Sequence, residues 1–308
     1  MEREIAEQPR VLAENSARYF DELASAFGGR RYAMALLVAR GSSDNAALYA
    51  RYLIEIHLGI PVSLAAPSVI TRNKIDVKYP NCLAIGISQS GAAPDVSEVI
   101  EHVRRQGHAT LAITNTSDSR LAKAAEHTLC LGVGKESSVA ATKTYSASLL
   151  ALYQLVRAMG GSLLDPQLPD GNTVQDAQLW ATKNLGPFMR SQSVFSLARG
   201  YRFASAFETA LKLMECALMP CKAYSTADFE HGPKALAIHG TATLLFGDAP
   251  ESIRHSGTSL VSAPIAPDGP CAPFFDAIAG QCLALHAARA RGLDPDSPVG
   301  LTKVTETH

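Results

Sequence analysis

Across residues 30–135, short apolar runs alternate with stretches in which apolar residues return every three or four positions. The runs fall at 34–39, 62–66, 82–88, 109–115 and 127–133, each bounded by turn formers, and their length predicts strands. Helical periodicity fills 45–58, 94–106 and 119–125 between them, 138–159 after them, and 2–27 at the start, where Gly28-Gly29 closes the pattern. Apolar runs without strict alternation suit strands buried on both faces. Such strands interleaved with helices predict an α/β fold with a parallel sheet covered on both sides.

The pattern lapses between 160 and 172, in GGSLLDPQLPDGN, where turn formers crowd together. This places a domain boundary there, with a first domain over 1–165 and a second over 172–308. A helix over 173–184 opens the second half. Then VFSLARGYRFASAFETALKL repeats the layout of ALLVARGSSDNAALYARYL: an apolar strand, Ala-Arg-Gly, and an amphipathic helix. Shared context around a shared tripeptide predicts an internal duplication. Strands near 242–247 and 259–263 and a helix over 274–291 follow. Only about eleven residues, including Pro250 and Gly257, separate those two strands. A parallel crossover takes about a dozen or more, so a βα unit is expected to be missing and the second sheet reduced.

Composition narrows the function. The chain has 308 residues, 47% of them apolar, which is enough for two buried cores. A formal charge of −1 removes the electrostatic case for nucleic acid. No apolar run approaches the ~20 residues of a membrane span, and the acidic opening MEREIAEQPR has no signal-peptide core, so a cytoplasmic protein without a membrane partner is expected. The six cysteines form no C-x-x-C pair and read as reduced, mostly buried thiols. The nine histidines show no ligand spacing, so neither a metal nor a cofactor is expected.

Candidate chemistry gathers where strands end. In an open parallel sheet, ligands sit beyond the carboxyl ends of the strands. Three such ends are polar in the same way: Gly41-Ser42-Ser43-Asp44, Ser88-Gln89-Ser90-Gly91, and Ser137-Ser138 ahead of Val139-Ala140-Ala141-Thr142. Helix N-termini with serine hydroxyls favour an anion, and a phosphate fits. Plain helix capping is the alternative for any one of them. Two in one sheet weigh against it. No dinucleotide fingerprint and no Walker lysine is present.

Glu208, Lys212 and Glu215, spaced four and three apart in FETALKLMECAL, share one face of an apolar helix. A solvated ion pair worth about 0.3 kcal/mol would explain the spacing. A carboxylate partly withdrawn from water would instead serve as an acid–base group, and Glu215, deeper in the apolar stretch, is the expected one. His231, in DFEHGP, is the strongest acid–base candidate among the histidines. Lys303, near the end in SPVGLTKVTETH, reads from the residues alone as a solvated tail lysine.

Five phrases in order, ARGSSDNAALYARYLIE, ISQSGAAPDV, KESSVAATKTYS, FETALKLMECAL and DFEHGPKAL, resemble the double SIS (sugar isomerase) domain family. Within it, the chain is similar to the isomerase half of glucosamine-6-phosphate synthases and, more closely, to stand-alone SIS-type glucosamine-6-phosphate deaminases. The resemblance spans nearly the whole chain. It implies two three-layer α/β/α subdomains with parallel sheets, the second reduced, in a homodimer with a shared active site for a small sugar phosphate.

By motif, the resemblance makes Ser42, Ser43, Ser88, Gln89 and Ser90 the phosphate cradle, with Ala93 where a threonine usually closes the loop. Glu136 and Val139 resemble sugar-site residues, and Ala141 stands where the synthase has a serine. Glu215 matches the carboxylate that moves a proton between C1 and C2, assisted by Glu208 and Lys212. His231 matches the ring-opening residue supplied by the neighbouring subunit, and Lys303 the lysine beside the open-chain sugar. Residue 2 onward reads as helix, with no cysteine nucleophile and no room for a glutaminase half, so ammonia delivery from glutamine is not expected. The implied activity is an amino-sugar-phosphate deaminase releasing fructose 6-phosphate and ammonia. The alternatives are an aldose–ketose phosphosugar isomerase, a fructosamine-6-phosphate deglycase and a non-catalytic sugar-phosphate sensor.

Overall fold

The apolar runs of the first half come together as one five-stranded sheet in the computed structural model, which describes residues 1–303. Strands β1 (Met34–Val38), β2 (Val62–Leu64), β3 (Cys82–Ile87), β4 (Ala109–Thr114) and β5 (His127–Cys130) are all parallel, in the order β2-β1-β3-β4-β5. The helices are α1 (Glu2–Phe27), α2 (Ser42–Leu58), α3 (Pro67–Thr71), α4 (Pro94–Arg105), α5 (Arg120–Ala124) and α6 (Lys143–Ala158). All six residues of β3 are buried, while the edge strand β2 is mostly exposed, which is why the central run is unbroken and the edge run mixed. Leu36, Val38, Cys82, Ala84 and Ala112, alternate positions of three neighbouring strands, pack on Val96, Val99 and Ile100 of α4 and Leu121 of α5. Helices α2 and α6 pack on each other, and α2 also meets β1 and β3.

A second parallel sheet follows. Helix α7 (Gly171–Met189), capped by Asp170 and Thr173, leads to β6 (Ser193–Ala198), α8 (Phe203–Ala217), β7 (Cys221–Ser225), α9 (Thr226–Glu230), β8 (Thr241–Leu245), α10 (Glu251–Arg254), β9 (Ser259–Ser262) and α11 (Ala272–Ala290). The order is β7-β6-β8-β9. One face, with Val194, Ala198, Ala223, Ala242 and Leu244, packs on the long helices α7, α8 and α11. The other, with Phe195, Leu197 and Leu245, is covered by Phe229 of α9, Ala237 and Ile253 of α10. That outer layer consists of one-turn helices, and the sheet has four strands against five in the first.

Three details correct the sequence reading. No βα unit is missing between β8 and β9: they pair in parallel from Ala242↔Ser259 to Leu245↔Ser262, and α10 makes the crossover in a single turn. Strand β7 was not anticipated, because at the edge only Cys221 and Ala223 are buried and Lys222 faces out. Helix α6 begins at Lys143 rather than 138, since residues 137–142 run as an irregular segment.

By contacts, the chain divides into an N-terminal unit of Val11–Glu136 with Lys143–Pro166, and a C-terminal unit of Met1–Arg10, Ser137–Thr142 and Gln167–Lys303. The two sheets share connectivity: β1 and β6 each start a sheet from the second position, and each is followed by a left-handed glycine, Gly41 at φ 56° and Gly200 at φ 62°. Among the described residues, no helix is long and apolar enough to cross a membrane.

Candidate active site

In the N-terminal unit, β1 leads through its helix to β2 on one side, and the chain then crosses to β3 on the other. The crevice between β1 and β3 is therefore the topological switch point, where a doubly wound sheet leaves room for a ligand. Both serine motifs open there, because Val38 and Gly86 are paired neighbours near the ends of these strands. After β1, Gly41 takes the N-cap position of α2 without a side-chain cap, and Ser42 and Ser43 form the first turn, half-buried. After β3, the Ser88 hydroxyl accepts from Gly91 N–H at 3.2 Å and the Ser90 hydroxyl from Ala92 N–H at 3.3 Å. Each hydroxyl thereby keeps its own hydrogen to donate.

The bend is held from behind. Gln89 C=O accepts from Asn115 N–H at 3.0 Å, and Gly91 C=O from Leu121 N–H at 3.0 Å. Only glycine fits at 91: φ is 62°, and an added Cβ would lie 2.1 Å from Ser119 Oγ. An ion pair that sequence reasoning missed spans the crevice. Arg40, just before Gly41, reaches Asp95 in the first turn of α4 at 2.8 Å, and Asp95 is 4% exposed. Its sequence signal was weak, an arginine and an aspartate each flanking a serine motif. Glu136, in the same unit, commits both carboxylate oxygens to Thr144 at the start of α6, one to the N–H at 3.0 Å and one to the hydroxyl at 2.7 Å.

The matching crevice of the C-terminal unit lies between β6 and β8, and no serine directly follows Gly200 there as Ser42 and Ser43 follow Gly41. Arg202 there makes a bidentate pair with Asp276 of α11, at 2.8 and 2.6 Å. Each crevice thus holds an arginine–aspartate pair, and only the first adds serines directly after its strands.

Helix α8 supplies the second cluster. Spacings of four and three bring the Lys212 ammonium to Glu208, 3.5 Å away, and into a hydrogen bond with Glu215. This is no solvated face, because Lys212 and Glu208 are buried. Burial pulls the Lys212 ammonium towards deprotonation, but the charges of Glu208 and Glu215 outweigh it and hold its pKa above the usual lysine range. The depth order reverses the sequence reading: the Glu208 side chain is 2% exposed and that of Glu215 is 24% exposed. Of the two carboxylates, Glu215 is the one open to solvent. Burial also pushes the neighbouring Cys216 thiol up to about 12.

The remaining residues of this unit lie on irregular chain. His231 ends α9, exposed, with Gly232 behind it at φ 141°. Val139 and Ala141 are half-buried in the 137–142 segment, where Lys303 Nζ donates to Ser138 C=O at 2.5 Å. Lys303 is therefore no free tail lysine, and it sits beside Val139.

A family model described as the SIS domain matches residues 34–158, which holds both serine bends and Glu136. These residues form a SIS domain. An isomerizing glutamine–fructose-6-phosphate aminotransferase of Xanthomonas campestris is 30% identical, the match covering 98% of this SIS-domain chain and 58% of that protein. The chain thus spans a little over half the length of that curated relative. Among solved structures, the C-terminal domain of a glucosamine-fructose-6-phosphate aminotransferase from Francisella tularensis aligns at TM-score 0.78 with 24% identity, covering 96% of each chain. A glucosamine-6-phosphate deaminase from Thermotoga maritima aligns at 0.77 with 24% identity, covering 96% of this chain and 100% of that one. These likenesses establish the two-sheet SIS fold.

Proposed function

We propose that this SIS-domain protein is an enzyme acting on a 2-amino-2-deoxyhexose 6-phosphate, which it converts with water to fructose 6-phosphate and ammonia. The observation that carries this reading is the pair of serine bends at the β1/β3 switch point. Their hydroxyls and the N-termini of α2 and α4 suit a phosphate dianion, and their small side chains leave it room. The relatives named for hexose phosphates and for glucosamine-6-phosphate deaminase support the same substrate class.

In the proposed reaction His231, contributed by the second subunit of a homodimer, opens the sugar ring. Glu215, oriented by Lys212, takes the proton from C2 and returns it to C1, leaving an imine at C2. Water adds to that carbon and the nitrogen departs as ammonia, so one water is consumed for each amine released.

The test is a panel of hexosamine and hexose 6-phosphates, with ammonia and ketose both measured. Ammonia and fructose 6-phosphate in equal amounts are expected, with a loss of about 10²-fold or more in Glu215→Gln. Ketose without ammonia would make the protein an aldose–ketose isomerase. Binding without turnover would make it a sensor.

A further inference from the structure

The irregular segment 137–142 carries Val139 and Ala141 and receives Lys303, yet no helix or strand of its own fixes its shape. Its order comes from a buried carboxylate on the first turn of α1. Glu4 is 1% exposed, and one of its oxygens accepts from the N–H groups of both Ser137 and Ser138. The other accepts from the Thr142 hydroxyl at 3.3 Å, and the Met1 amino group lies 3.5 Å away. Gln281 of α11 donates to Thr142 C=O at 3.3 Å and receives a 2.6 Å bond from Gln8, one helical turn beyond Glu4. The proposed chemistry uses neither Glu4 nor this network.

One peptide plane links the network to Lys303. The Ser138 C=O and the Val139 N–H belong to a single rigid amide. Its oxygen accepts from Lys303 Nζ at 2.5 Å, and its nitrogen donates to Asp296 C=O at 3.3 Å. Glu4 grips the N–H of Ser138, the residue that begins this plane. Turning the plane would move the acceptor that holds the ammonium.

We propose that Glu4 is a positioning residue whose carboxylate fixes the 138–139 peptide and thereby the place of the Lys303 ammonium. This rests on the proposed function, together with the resemblance that sets Lys303 beside the open-chain sugar. A glutamine at position 4 has no charge, so the bonds from the Ser137 and Ser138 N–H groups lose their charge assistance, and it turns either an amide NH2 or a neutral oxygen towards the Met1 amino group.

The experiment has two readouts on the full chain. Amine acetylation followed by mass spectrometry measures the labelling rate of Lys303 relative to exposed Lys183, and needs no turnover. Lys303 should label ~3-fold faster or more in Glu4→Gln as its anchor loosens. With the sugar phosphate, kcat should fall ~10- to 100-fold while KM stays within ~3-fold, because the phosphate grip is untouched. Glu4→Asp, which keeps both acceptor oxygens, should fall between the parent and Glu4→Gln on both readouts, and it carries the test should the glutamine variant not fold. Unchanged Lys303 labelling in a folded variant, or an unchanged kcat, would overturn the inference. A parent chain with no turnover whose variant still shows faster labelling would count against the proposed function and leave the anchoring of Lys303 by Glu4 standing.

Discussion

Replacing Lys212 with methionine should unfold the C-terminal unit far more readily, although no cavity is made. Glu208 would be left 2% exposed without the ammonium that now lies 3.5 Å away. At an effective dielectric constant of about 20, that separation corresponds to roughly 5 kcal/mol of attraction. Part is recovered because methionine has no charge to desolvate, and removing one partner of a buried pair typically costs about 3–5 kcal/mol. The assay is urea denaturation followed by tryptophan fluorescence. The chain's single tryptophan, Trp180, lies on α7 and bonds Ser262 C=O, so the signal reports this unit alone.

The pH dependence has a definite sign. The folded-state pKa of Lys212 is raised, so its contribution is complete below the unfolded value near 10.4 and is lost only above it. The deficit of Lys212→Met should therefore be flat between about pH 7 and about pH 9. The double variant Glu208→Met, Lys212→Met removes both charges and should return to within ~1.5 kcal/mol of the parent. A single variant within ~1 kcal/mol of the parent, or a double variant no better than the single, would refute the reasoning.

Two further outcomes follow from the geometry. Ser88→Ala should weaken sugar-phosphate binding by about 10- to 100-fold, since a hydrogen bond to a charged group contributes about 1.5–3 kcal/mol, and titration calorimetry of parent and variant measures it. Native protein treated with a disulfide reagent at pH 8 should label Cys130, the one partly exposed thiol among the described residues. Cys82, held at about 11, and Cys216, Cys221 and Cys282, held at about 12 by burial, should react only after denaturation.

What the sequence disclosed and what it hid divide along the range of the interactions. Strands β1, β3 and β4 were legible because burial on both faces leaves an apolar run, and the α8 trio because helical spacing is a local rule. The serine bends could be read as one cradle since adjacent strands of a parallel sheet bring their ends together. Edge strand β7 was hidden because only two of its residues are buried. The one-turn crossover at α10 defeated a rule built on ordinary helix lengths. Nothing local marks Glu4, whose partner Ser137 lies 133 positions away, or Arg40 with Asp95, whose pairing depends on strand order. The same limit explains the reversed depths of Glu208 and Glu215, since apolar neighbours in sequence do not say which neighbours in space cover a side chain.

The opening turns of α1 leave the ribosome long before the helix that holds them. Gln8 bonds Gln281, 273 positions later, and Glu2 pairs with Arg289. At about 5–20 residues per second, roughly 14–55 s of translation separate those partners. For that interval Ile5, fully enclosed in the finished protein, has no bed to lie in. Until α11 has been made, the nascent chain therefore exposes the apolar face of an amphipathic helix.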